Sequence, residues 1–217
     1  MFPLYDTARS RRFPLMNWTL VILNSLVFYY ELTLGESQLV RFIHDWGLIP
    51  ARLAWDSPDG WLKVLTSMFL HGGWFHIISN LWILIIFGDN VEDRMGSVRY
   101  LVFYLLGGAS AAYLQAFFFP SSGVPMIGAS GAIAGVLGAY LILYPRARIA
   151  SLVPIFFIFT LVELPAVIFL GFWFVSQLFS GWLALQGAVS NGIAWWAHIG
   201  GFVFGLLTVS LFVQRRY

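Results

Sequence analysis

Five polar side chains stand out for the chemistry they could do: His71, His76 and Asn80 in "HGGWFHIISN" (71–80), Ser130 in "GASG" (128–131) and His198 in "WAHIGG" (196–201). A serine hydroxyl attacks a carbonyl carbon once an imidazole takes its proton. Histidine and asparagine N–H groups can donate to the oxygen that turns negative in that attack. Each motif also has a plainer reading. Gly128, Gly131, Gly135 and Gly138 have the small-residue spacing that lets membrane helices pack closely. A single histidine, or a His76 and Asn80 pair four residues apart on one helical face, can simply join helices by hydrogen bonds.

The elements that must position these groups are membrane helices. The 217-residue chain is 59% hydrophobic and 10% charged, with a mean hydropathy of +0.80, far from a soluble domain. A bilayer core takes about 20 apolar residues per helix. Six apolar runs approach that: Trp18 to Leu34, Phe75 to Phe87, Leu101 to Phe119, Ala129 to Leu143, Leu164 to Leu178 and Trp195 to Val213. The expected fold is therefore an all-α bundle of six transmembrane helices in one domain covering 1–217.

Basic residues orient the bundle, because Lys and Arg collect on the cytoplasmic side. With six spans, one side carries Arg9, Arg11, Arg12, Arg94, Arg99, Arg146, Arg148, Arg215 and Arg216, and the other only Arg41, Arg52 and Lys63. Both termini are expected in the cytoplasm, with 1–16 as a cytoplasmic tail. A net charge of +2 gives no reason to expect a nucleic-acid partner. Without cysteine there are no disulfides, thiol nucleophiles or thiolate metal sites. The first apolar run lacks a small-residue cleavage pattern and reads as an uncleaved anchor. Asn17-Trp18-Thr19 fits a glycosylation sequon but falls on the cytoplasmic edge, so it is read as chance.

Two connections are unusual. Residues 35–63 are too long for a plain turn and mix Phe42, Ile43, Trp46 and Trp55 with charges, which suits an extracytoplasmic interfacial segment. "ARIASLVPIFFIF" is apolar but broken by Pro154, and is expected at the inner interface or as a lead-in to the fifth helix.

The three polar clusters fit one arrangement. Ser130 opens the fourth span, where free backbone N–H groups and the helix dipole favour negative charge. Its helical face continues through Gly131, Ala134, Gly135 and Gly138 and is nearly smooth; His198 shares a face with Gly201 and Gly205. Two smooth faces can pack closely and bring imidazole to hydroxyl. By the topology, Ser130, His198, His71 and His76 all lie toward the outer ends of their spans. The expected site is thus a Ser130–His198 dyad, with His76, Asn80 and the Ser130 N–H as oxyanion donors. None of the ten carboxylates falls near His198, so no triad is expected, and Glu163 is read as an interfacial residue.

At these residues the chain resembles the rhomboid family of intramembrane serine proteases. "HGGWFHIISN", "GASGAIAG" and "AHIGGFVFG" stand in the family's order, and "FGDNVEDRMG" is similar to its connector; the likeness runs from about Trp61 to Gly205. The resemblance, to the prokaryotic six-helix type, implies a plasma-membrane protein without cofactor or metal. It also implies that Ser130 and His198 form the dyad, that His76, Asn80 and the Ser130 backbone form the oxyanion site, and that His71 lies at its rim. It implies single-span membrane proteins as substrates, cut near the outer face of the lipid bilayer after a small residue. Two departures stand out. Ala134 replaces the larger or aromatic residue that packs on the histidine in many members, leaving another group to orient His198. Leu62 and Lys63 occupy the place of a common Trp-Arg pair, with Trp61 shifted by one.

Other chemistries fit poorly. No histidine opens an H-E-x-x-H motif, and Asp89 has Asp6 in the tail as its only counterpart for an aspartyl dyad. A transporter would show repeat symmetry or a charged path. The alternative that remains is a catalytically inactive relative that binds transmembrane clients. Substrate identity and oligomeric state are left open.

Overall fold

The computed structural model describes residues 1–155, 158–188 and 192–214. Arg215 and Arg216, used above for orientation, lie outside the described residues. The elements are β1 (Phe2–Asp6), α1 (Leu15–Thr33), α2 (Glu36–Trp46), a 3₁₀ turn (Pro50–Arg52), α3 (Pro58–Ser67), α4 (Trp74–Met95), α5 (Ser97–Phe118), α6 (Ser130–Leu143), β2 (Arg148–Ile155), β3 (Ile158–Pro165), α7 (Ala166–Leu185) and α8 (Trp195–Phe212). Four of the helices, α4, α5, α7 and α8, are long and apolar enough to cross a membrane, and α6 is a shorter apolar helix. The bundle turns large apolar side chains outward and keeps several polar ones inside its apolar core. Phe75, Phe172, Leu207 and Leu211 are exposed, while Asn17, Asn24, Asn80 and Gln177 are buried. That arrangement suits a lipid solvent and makes this an integral membrane protein.

Helix α6 sits at the centre, packed on α8, α5 and α4. Lipid tails are as apolar as leucine, so burying leucine drives little association and close backbone contact must hold the helices. Glycines provide it. A Cβ on Gly201 would overlap the carbonyl oxygen of Gly131, and one on Gly205 would overlap that of Gly135. Both pairs advance by four residues, so α6 and α8 run parallel and in register. On the other side of α6, a Cβ at Gly131 would stand 2.5 Å from the Ala111 Cβ of α5.

Buried polar ties fix the remaining helices. The Glu92 carboxylate of α4 accepts from the free first-turn amides of α1, Met16 N at 3.0 Å and Asn17 N at 2.7 Å, which no carbonyl within α1 can reach. Asn17 donates from Nδ2 to Leu84 O at 3.0 Å and accepts from Tyr100 Oη at 2.7 Å. Its amide is buried, which removes it as a glycan acceptor. At the other end of α1, the Glu31 carboxylate accepts from the His71 N–H at 3.1 Å. Between α4 and α5 the chain turns on Gly96, whose φ of +78° favours a residue without a Cβ.

The structure corrects the all-α expectation. Residues 148–155 and 158–165 form an antiparallel hairpin, and the N-terminal tail joins it as a third strand in the order β1-β2-β3, with Phe2 opposite Leu152 and Asp6 opposite Ile149. The segment is a pair of strands, with Glu163 in β3, and β3 leads directly into α7. Pro154 is tolerated because β1 pairs no further than Leu152, so the missing N–H breaks no ladder bond to β1. Strand β1 runs beside α4: Phe2 stacks on Trp82 at 5.4 Å, Trp82 Nε1 donates to Pro3 O at 2.6 Å, and Asn90 Nδ2 donates to Asp6 at 3.0 Å.

The first loop is also more ordered than a plain connection. It contains α2 and the 3₁₀ turn, and α3 carries it on to Ser67. Leu48 exchanges both backbone hydrogen bonds with Met126, at 3.1 and 2.7 Å, so this loop is stitched to the segment leading into α6.

Candidate active site

The in-register contact of α6 and α8 brings their first turns together. Ser130 is the first residue of α6 and His198 lies in the first turn of α8. The His198 Nε2 to Ser130 Oγ distance is 2.9 Å. Both side chains are half-buried, reachable yet shielded. The first intrahelical bond of α6 is Ile133 N to Ala129 O at 3.0 Å, so the Ser130, Gly131 and Ala132 amides form the free, electropositive end of the helix.

Gly128 sets the third corner, in a different way from helix packing. It precedes α6, has φ of +117°, and a Cβ there would stand 2.5 Å from His76 Nε2. Only glycine combines that backbone with that approach. Its N–H donates to Ser67 O at 2.8 Å, fixing the bend two residues before Ser130. Asn80 Nδ2 lies on the same side, 3.6 Å from that Cβ position.

The hydrogen bonds assign proton positions. His71 Nδ1 lies 3.2 Å from Phe69 O, an acceptor only, so Nδ1 carries the proton and Nε2 accepts from Asn80 Nδ2 at 3.1 Å. Burial first, then the neighbouring His76, holds the His71 pKa down at about 4, so the ring stays neutral and keeps accepting. His76 Nδ1 faces the Gly72 N–H at 3.4 Å. In the neutral ring Nε2–H is then the donor, aimed at the Gly128 corner.

Two residues at the site escaped the sequence reading. Gln177 of α7 places Oε1 2.8 Å from His198 Nδ1, and Trp173, one turn earlier on the same face, lies 6.1 Å from the imidazole centroid. Both lie against the His198 ring, whose orienting group the sequence reading left open. A lone buried glutamine in a helix of otherwise apolar and small residues was the signal available. A cavity of about 30 Å³ opens beside Ser130, lined among others by Ser67, Met68, Met126 and Ala197. Among the described residues no cluster of His, Asp and Glu could hold a metal ion.

A family model described as "Rhomboid domain" matches residues 58–215. The chain is 30% identical over 185 residues to RHOMBOID-like protein 4 of Arabidopsis thaliana, covering 85% of this chain and 42% of the relative. It is 34% identical over 157 residues to Rhomboid-like protease 5 of Toxoplasma gondii, covering 67% of this chain and 15% of the relative. A third relative, Inactive RHOMBOID-like protein 8 of Arabidopsis thaliana, is 34% identical over 104 residues, covering 45% of this chain and 29% of the relative. The chain thus spans less than half the length of each of these.

Proposed function

The chain belongs to the rhomboid family, and from that premise we propose that it is an intramembrane serine endopeptidase in which Ser130 is the nucleophile and His198 the general base. One observation carries the reading: the 2.9 Å separation of Ser130 Oγ and His198 Nε2 at the free amide end of α6. Ser130 Oγ bonds to the scissile carbonyl carbon as its proton passes to His198 Nε2. The oxyanion takes N–H donors from the Ser130 backbone, His76 Nε2 and the second Asn80 Nδ2 proton. Collapse breaks the peptide bond, His198 returns the proton to the leaving amine, and water hydrolyses the Ser130 ester by the same steps.

In this reading α1, α4, α5, α6, α7 and α8 are the six spans, with both termini in the cytoplasm and the site opening on the other side. Helix α6 has 14 residues and so covers only about 21 Å, which starts Ser130 below the outer surface in a hollow that water can enter. The substrates are single-span membrane proteins whose helix unwinds locally to expose a carbonyl, with a small side chain ahead of the bond suited to the small cavity beside Ser130.

A fluorophosphonate probe tests this in liposomes. Wild-type protein should be labelled, and Ser130→Ala and His198→Ala should not. Equal labelling of all three, or none of the wild type, would instead favour a client-binding protein without hydrolytic activity. Cleavage of a helical single-span reporter then tests the substrate class.

A further inference from the structure

The geometry points to Gln177 as the positioning residue of the site, the group that holds His198 in the one tautomer able to accept the Ser130 proton. This inference rests on the Ser130–His198 reading above. A neutral imidazole carries one N–H, and Ser130 needs the lone pair at Nε2, so the proton has to sit at Nδ1. In a Ser-His-Asp enzyme a buried carboxylate secures that choice. Here the atom facing Nδ1, at 2.8 Å, is Gln177 Oε1.

An amide could turn and present its nitrogen instead, but its surroundings forbid that. Ser176 Oγ donates to Trp173 O at 2.5 Å, spending its only proton. Gln177 Nε2 lies 3.1 Å from that same Oγ and 3.4 Å from Trp173 O. Both groups can only accept, so Nε2 must be the end facing them and Oε1 the end facing His198. Proton donation then has one direction along the chain: Ser130 Oγ to His198 Nε2, His198 Nδ1 to Gln177 Oε1, Gln177 Nε2 to Ser176 Oγ, and Ser176 Oγ to Trp173 O. Gln177 is 6% exposed, and a neutral amide there avoids the cost of a buried carboxylate charge. It also keeps accepting from Nδ1 when His198 becomes an imidazolium. Helix α7 therefore provides the third member of a Ser-His-Gln relay.

The test uses Gln177→Met, which keeps length and apolarity but removes the acceptor, and Gln177→Glu, which keeps an acceptor. Nitrogen-15 NMR of histidine-labelled protein in lipid nanodiscs, with His198 assigned by the His198→Ala spectrum, reads the tautomer without any need for activity. Wild type should show Nδ1–H, and Gln177→Met a substantial Nε2–H population. Reporter kcat should fall by roughly 10- to 100-fold in Gln177→Met, well short of the loss of about 10⁴ when a triad histidine is locked in the wrong tautomer. KM should stay near wild type, and Gln177→Glu should recover most of the rate. An unchanged tautomer in Gln177→Met, or a kcat equal to wild type, overturns the inference. Failure of the underlying reading looks different: the wild type itself would not be labelled by the fluorophosphonate.

Discussion

The carbonyl oxygen of Gly131 occupies the space that a side chain on Gly201 would need. The two backbones touch at the residue after Ser130 and one turn beyond His198, so the distance between hydroxyl and imidazole is set by a helix contact with no side chains in between. A rigid contact of this kind holds reacting atoms far better than a flexible one.

Adding one methyl group should therefore cost activity before it costs the fold. Gly201→Ala is expected to cut fluorophosphonate labelling at least about tenfold and to destabilise by about 1 to 3 kcal/mol, as overpacking does. Gly171→Ala in α7, where nothing lies within 4 Å, is the control and should leave both unchanged. Labelling rate and thermal unfolding in detergent measure the two effects.

Asn80 is expected to act on turnover. Removing one oxyanion donor costs about 10² to 10³ in kcat in a well-studied serine protease. Asn80→Ala should lose about a hundredfold in reporter kcat with little change in KM. His71→Ala should lose less, because His71 acts on the site through its neighbours Asn80 and His76 and donates nothing to the oxyanion itself.

The docked tail carries a pH signature. Burial, opposed by the Tyr140 hydrogen bond and reinforced by the charge on Asp89, raises the Asp6 pKa from 3.8 to about 6. A carboxyl with a raised folded-state pKa contributes stability that is fully present below its unfolded pKa and is lost as pH rises through the folded one. Tail docking should therefore weaken from about pH 4 to pH 6, and Asp6→Asn should flatten that slope, leaving the share of Asp89, which accepts from Ser10 of the tail. Protease cleavage of the tail, followed across this range in both proteins, gives the comparison.

The Asn17 knot should matter for stability alone. Tyr100→Phe leaves the buried Asn17 Oδ1 without its 2.7 Å donor, at a cost of about 1 to 3 kcal/mol. Thermal unfolding should shift accordingly, while labelling per folded molecule stays at the wild-type rate.

The membrane class was legible from composition, and the polar clusters from their isolation within apolar runs. The sheet was not. A strand in an apolar setting shows no alternation to separate it from a helix, Pro154 suggested a break, and the partner of Leu152 is Phe2, at the far end of the chain. The β2–β3 hairpin is local, and the long-range pairing with β1 adds its third strand. Gly128 was misassigned for a related reason. The glycine repeat continues through it, but its φ of +117° and its place against His76 belong to the loop before the helix.

By itself the amino-acid sequence determined which side chains could react and which helix faces were bare enough to touch, because residue type and a 3.6-residue period are local properties. Which nitrogen of His198 meets Ser130, and that Gln177 meets the other, was decided only when α7 and α8 came together. A hydrogen bond demands about 3 Å and a defined direction, and no spacing along one helix specifies the rotation of another.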